Sequence, residues 1–227
     1  MTDIFAHRGY HRTVTENTIE AFLEARRVGV DGVELDVRRT KDGALVVHHD
    51  EAVAGVGAIS ETTLHDLPDS VATLDEAMTA LAGLQVNVEI KNSPGEAGYD
   101  PTGALAAQVV AALADGGWPG VIISSFDLAT CEAVRALDPE LPVGWLVHWT
   151  MDTAEALERV APLDLDAVHP YFARVEASHV ARAHELGLAM NVWTVNEPDD
   201  IARMLALGVD TLITDCPEEA LAALPAP

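Results

Sequence analysis

Three stretches of the chain repeat one plan, and the repetition restricts the fold more than any other feature. "ARRVGVDGVELDV", "ARAHELGLAMNVWTV" and "ARMLALGVDTLITD" each pass from a helix-like, arginine-containing segment through Gly29, Gly187 or Gly208 into an apolar run. A glycine just past a helix supplies the left-handed residue that closes it. An apolar run without alternation is the pattern of a strand covered on both faces, as in a parallel sheet.

Extending the plan predicts strands near 3–8, 31–37, 86–91, 120–124, 142–147, 166–169, 188–194 and 210–214. Helical patterns lie near 17–28, 74–82, 102–115, 127–137, 152–160, 175–186, 198–207 and 217–224. Thr73 with Glu76 and Asp152 with Glu155 have capping-box spacing, and Pro198 and Pro217 suit a first helical position. A further strand-like stretch, "ALVVHH", lies near 44–49, and "KNSPGEAGYDPTGA" (91–104) reads as a long loop. Eight alternations predict an α/β fold, a (β/α)8 TIM barrel in a single domain over 1–227, with a short insertion at about 50–72. The runner-up is a doubly wound open sheet. No GxGxxG follows the first strand, which weakens a dinucleotide-binding version.

Length and composition agree: 227 residues, 49% of them hydrophobic, can bury a sizeable core. The net charge of -24 argues against nucleic acid and against stable association with anionic membranes, since both want a basic face. An anionic substrate then requires local positive charge at its site. No apolar run has the length of a membrane span, and "MTDIFAHRG" lacks the basic start of a secretory signal, so the expected location is cytoplasmic. The two cysteines, Cys131 and Cys216, are far apart and read as reduced thiols. The oligomeric state is not legible.

In a barrel of this kind the site lies at the C-terminal ends of the strands. There the chain places His7 and Arg8 (first strand), Glu34 and Asp36 (second), His49 and Asp50 (the extra stretch), and Glu89 and Lys91 (third). Side chains alternate along a strand, so Glu34 and Asp36 share a face, as do Glu89 and Lys91. Glu34, Asp36 and Glu89 can converge. A hard divalent cation, Mg2+ or Ca2+, suits such an all-carboxylate set. Structural pairing with Arg8 and Lys91 is the alternative. His7 and His49 are the candidate acid–base pair, and Arg8 and Lys91 the candidate anion-holding charges. Phe126, Trp149 and Trp193 follow or end later strands and can shape the pocket, Trp193 above all. The other histidines read as ordinary, with His169 the least certain.

These residues sit in an ordered set of motifs. "AHRGYHRTVTENTIEAFLEARRVGVDGVELDVRRTKDGALVVHHD", then "VEIK" and "VNVWTVN…GVDTLITDCPE", resemble the signature of the glycerophosphodiester phosphodiesterases over nearly the whole chain. The resemblance implies a barrel that uses a divalent cation to cleave glycerophosphodiesters to glycerol 3-phosphate and an alcohol. It implies that His7 and His49 are catalytic, that Glu34, Asp36 and Glu89 are metal ligands, and that Arg8, Lys91 and Trp193 contact substrate. Thr15 stands where the family usually has Pro, and the segment after Asp50 is shorter than usual, which implies a more open pocket. Two alternatives follow: a phospholipase-like barrel acting on lysophospholipid or phosphoinositide headgroups, and a non-catalytic metal or phosphate-ester binding protein.

Overall fold

The computed structural model describes residues 1–225. The elements run β1 (Asp3–His7), α1 (Ile19–Val28), β2 (Gly32–Arg39), β3 (Leu45–Val47), β4 (Ala52–Val53), β5 (Gly57–Ala58), α2 (Leu74–Ala80), β6 (Gln85–Ile90), α3 (Ala104–Gly116), β7 (Val121–Ser125) and α4 (Leu128–Leu137). They continue with β8 (Val143–Val147), α5 (Thr153–Val160), β9 (Ala167–Pro170), α6 (Ala177–Glu185), β10 (Ala189–Val192), α7 (Pro198–Leu207), β11 (Thr211–Thr214) and α8 (Pro217–Ala223).

Eight parallel strands form one sheet in the order β1-β11-β10-β9-β8-β7-β6-β2, and the β1–β2 pairing closes it into a barrel. Every strand predicted from the repeat is present, and the open-sheet alternative is excluded by the closure. The "ALVVHH" stretch forms β3, which pairs antiparallel with the end of β2 (Val37 opposite Val47). The strand stops at Val47, so His48 and His49 leave on a turn rather than from a strand end. Residues 50–72 hold the β4–β5 hairpin and two short 3-10 turns, at Ile59–Glu61 and Leu64–Asp66.

The local signals act as read. Gly29 and Gly208 close α1 and α7 at φ 86° and 72°. Thr73 and Glu76 complete a reciprocal capping box on α2. Asp152 accepts from the backbone N–H groups of Ala154 and Glu155, while Glu155 does not return the bond.

The apolar core lies between barrel and helices and includes Ile4, Leu35, Val88, Ile123, Leu157, Met190 and Leu212. The barrel also buries polar side chains, among them Asn87, Ser124, His169 and Asn191. His169 accepts from the Asn191 side-chain amide at 2.9 Å. Burial pushes its pKa down to about 3, so it stays neutral. Gly144 on β8 leaves it room: a Cβ there would stand 2.3 Å from His169 Nε2. Gly144→Ala is therefore expected to lower stability by about 1–3 kcal/mol through overpacking. Urea denaturation checks this, and an unchanged midpoint contradicts it.

Candidate active site

Strand register assembles the site. His7 lies opposite Glu34 across the β1–β2 pair. Across β2–β6, Glu34 lies opposite Asn87, and Asp36 opposite Glu89. One residue of slip would turn these carboxylates into the outer apolar layer. Instead, ligand oxygens of Glu34, Asp36 and Glu89 all come within 4.8 Å of one another.

A cleft of about 740 Å³ opens above them at the C-terminal ends of the strands. His7, Arg8, Glu34, His49, Glu89, Lys91, Phe126 and Trp193 line it. Of the site residues expected from sequence, Asp36 alone lies behind the cleft wall, at 1% exposure. Trp145, Met151 and Trp149 extend the apolar side, and Trp149 is 54% exposed at the mouth. Phe126 packs edge-on against Trp193 with centroids 5.4 Å apart. The Trp193 indole N–H donates to the His169 carbonyl at 2.7 Å, which fixes its ring.

Two cationic side chains are built into the acid cluster. Lys91 Nζ stands 2.8 Å from Glu89 Oε1 and 3.5 Å from Asp36 Oδ1. Arg8 Nε stands 3.4 Å from Asp36 Oδ2, and its Nη1 donates to Glu16 at 2.8 Å. Both readings of the cluster are thus present together: salt bridging and a candidate ligand set. Neither the Lys91 ammonium nor the Arg8 guanidinium pairs with Glu34. That carboxylate accepts the Arg8 backbone N–H at 3.0 Å, while its Oε1 is buried with no hydrogen-bond partner.

The charge states follow. Burial raises Glu34 well above the usual carboxylate range, and Asp36 and Glu89 raise it further. Burial also lifts Glu89, with Lys91 opposing. Asp36 is held below the usual range because Lys91, Arg8 and His49 outweigh the cost of burial. Burial lowers Lys91 less than Glu89 and Asp36 raise it, so it stays charged. His49 is shifted down, mainly by burial. An unpartnered buried oxygen on a carboxylate clustered with two others is the environment a hard cation relieves, and the donor set fits one.

The turn after β1 bends sharply to deliver these groups. Arg8 and Gly9 are consecutive left-handed residues, at φ 56° and 78°. A side chain at Gly9 would meet the Ala21 backbone at 2.8 Å. Asn17, also left-handed, donates its backbone N–H to the Arg8 carbonyl at 2.9 Å. Its side-chain amide donates to Asp36 Oδ2 at 2.7 Å and accepts the Asp36 N–H at 3.4 Å.

The glycerophosphoryl diester phosphodiesterase family profile matches residues 7–219. The chain belongs to this family. A glycerophosphodiester phosphodiesterase from Caldanaerobacter subterraneus subsp. tengcongensis is 32% identical, over 96% of this chain and 95% of that one. One from Bacillus altitudinis is 30% identical over 97% of each. The crystal structure of a glycerophosphodiester phosphodiesterase from Parabacteroides distasonis superposes with a TM-score of 0.86 at 26% identity, covering 97% of this chain and 95% of that chain.

Three residues of the site carry no mark in the sequence. Asn17 lies in the quoted "TENT" run, but nothing marked it as the clamp on Asp36. Asp215 directly follows β11 and accepts from His7 Nδ1 at 2.7 Å. His11, taken as ordinary, bonds the same carboxylate at 3.2 Å. Asp215 has only its position as a signal: it is a carboxylate at the end of the eighth barrel strand. Asn17→Ala is expected to cost about 2 kcal/mol or more, because it strips a donor from a buried carboxylate and puts Ala in a left-handed conformation. A loss under half a kcal/mol in urea unfolding, about the noise of such a measurement, contradicts the clamp.

Proposed function

We propose that the chain hydrolyses glycerophosphodiesters to glycerol 3-phosphate and an alcohol with the help of one divalent cation, Mg2+ or Ca2+. The observation that carries the reading is the convergence of three carboxylates with two cationic side chains and two imidazoles at one cleft, which Glu34 and Glu89 line and Asp36 backs, in a member of this family.

Glu34, Asp36 and Glu89 would hold the cation. A bound cation supplies charge that polarises the phosphoryl oxygens. Arg8 and Lys91 grip the remaining oxygens of the diester and offset the overall charge of -24 locally. One of His7 and His49 takes the proton of the attacking oxygen, and the other protonates the departing alcohol oxygen. The P–O bond to the leaving alcohol breaks as the new one forms. Phe126 and Trp193 wall the apolar side of the cleft and exclude water there.

The substrate is a small soluble diester. No helix among the described residues is long and apolar enough to cross a membrane. The exposed Trp149 at the mouth offers an apolar surface to an acyl chain on the glycerol part of a diester, which keeps a lysophospholipid as the second reading. The binding-only reading is disfavoured because holding an ester needs neither imidazole. We read 1–227 as one unit carrying this site.

His7→Ala and His49→Ala are each expected to lower turnover by about 10²–10⁴-fold with circular dichroism unchanged. Near-normal turnover in a folded variant removes that residue from the reaction. A panel of glycerophosphodiesters should lose turnover on complete chelation and regain it on adding Mg2+ or Ca2+. Full activity after chelation contradicts the role of the cation. Turnover confined to micellar lipid favours the second reading.

A further inference from the structure

We propose that Asp215, itself polarised by Asn196, is a positioning residue that fixes the ring and tautomer of His7 so that Nε2 is its reacting nitrogen. The inference rests on the reading of His7 as a proton carrier.

The argument is one of donors and acceptors. Asp215 Oδ1 faces His7 Nδ1 at 2.7 Å and His11 Nε2 at 3.2 Å. Asp215 Oδ2 accepts from Asn196 Nδ2 at 2.6 Å. The Asn196 amide has one possible orientation. Its Oδ1 accepts the Asp215 backbone N–H at 2.8 Å, and a backbone N–H can only donate. The Thr214 hydroxyl adds a second bond to that oxygen at 3.2 Å.

The chain of constraints ends on His7. An ionised carboxylate accepts and never donates, so the hydrogen of a neutral His7 ring lies on Nδ1. Hydrogen bonds from His11, His7 and Asn196 outweigh burial and hold Asp215 well below the usual carboxylate range. Nε2 then carries the lone pair. It points into the acid cluster, 3.9 Å from Glu34 Oε2. His49 has a looser partner: Asp50 accepts from its Nδ1 at 2.8 Å, but the Asp50 side chain is 76% exposed.

The same logic predicts an unusual pair of variants. In Asp215→Asn the new amide must turn its oxygen toward the Asn196 N–H. Its own NH2 then faces His7 Nδ1 and forces the hydrogen onto Nε2. Adding Asn196→Asp reverses this. Residue 196 then accepts from the position-215 amide, whose oxygen turns back to His7 Nδ1. The swap conserves net charge and restores the tautomer.

The test combines kinetics with nitrogen NMR of the histidine rings, recorded near pH 9, about where neutral imidazole dominates, and assigned with His7→Gln. In the unaltered protein His7 should show its hydrogen on Nδ1. In Asp215→Asn the hydrogen should move to Nε2, and kcat should fall by about 10²-fold or more with KM within about threefold. The double variant should recover at least about a tenth of the lost turnover and the original ring pattern. A native ring protonated on Nε2 overturns the proposal without need of any variant or any turnover. So does Asp215→Asn with normal kcat, or a folded double variant no better than the single one. Absence of turnover in the unaltered protein with the predicted ring pattern instead counts against the phosphodiesterase reading alone.

Discussion

Three carboxylates enclosed at the mouth of a barrel cannot all stay ionised without compensation, and this condition organises the structure around them. Desolvation and mutual repulsion both favour protonation. The chain answers with Lys91 against Glu89, Arg8 and Asn17 against Asp36, and a backbone N–H against Glu34. The answer is incomplete by design of the donor count. Glu34 Oε1 is buried without a partner, and its carboxylate is the one that neither Lys91 nor the Arg8 guanidinium pairs with. The remaining charge is what a bound cation would supply. An account by salt bridging alone leaves that oxygen unexplained.

The same condition makes strand register matter. β2 carries Glu34 and Asp36 on its inner face, and β6 carries Asn87 and Glu89 opposite them. The alternate residues Val33, Leu35, Val86 and Val88 are buried against the helices. Helix burial thus pins the register, and the register places the acids. The turn at Arg8 and Gly9 then brings a backbone donor and a guanidinium to the same spot. Apolar packing and site chemistry are two faces of one alternation.

Much of this was legible in the sequence, for identifiable reasons. The helix–glycine–strand repeat around Gly29, Gly187 and Gly208 reports backbone geometry directly, so the barrel could be read from it. Glu34, Asp36, Glu89 and Lys91 stood out because charge inside an apolar run demands a reason. His49 lines the cleft although β3 stops at Val47, since the chain beyond the strand still carries it there. Asp215, Asn196 and His11 could not be linked by pattern. They meet only because β11 closes on β1, bringing residues more than 200 positions apart into one hydrogen-bond network. Asn17 was hidden for a related reason: its role depends on a left-handed turn that composition does not specify.

The central claim is that Glu34, Asp36 and Glu89 act as one cation site rather than as paired salt bridges. Manganese binding followed by electron paramagnetic resonance tests it most directly, because Mn2+ reports stoichiometry without reference to any substrate. The account predicts a single tight site per chain, displaced by Mg2+ or Ca2+ and lost in Glu34→Gln while the protein remains folded. Absence of binding in the unaltered protein, or binding that survives Glu34→Gln undiminished, contradicts it.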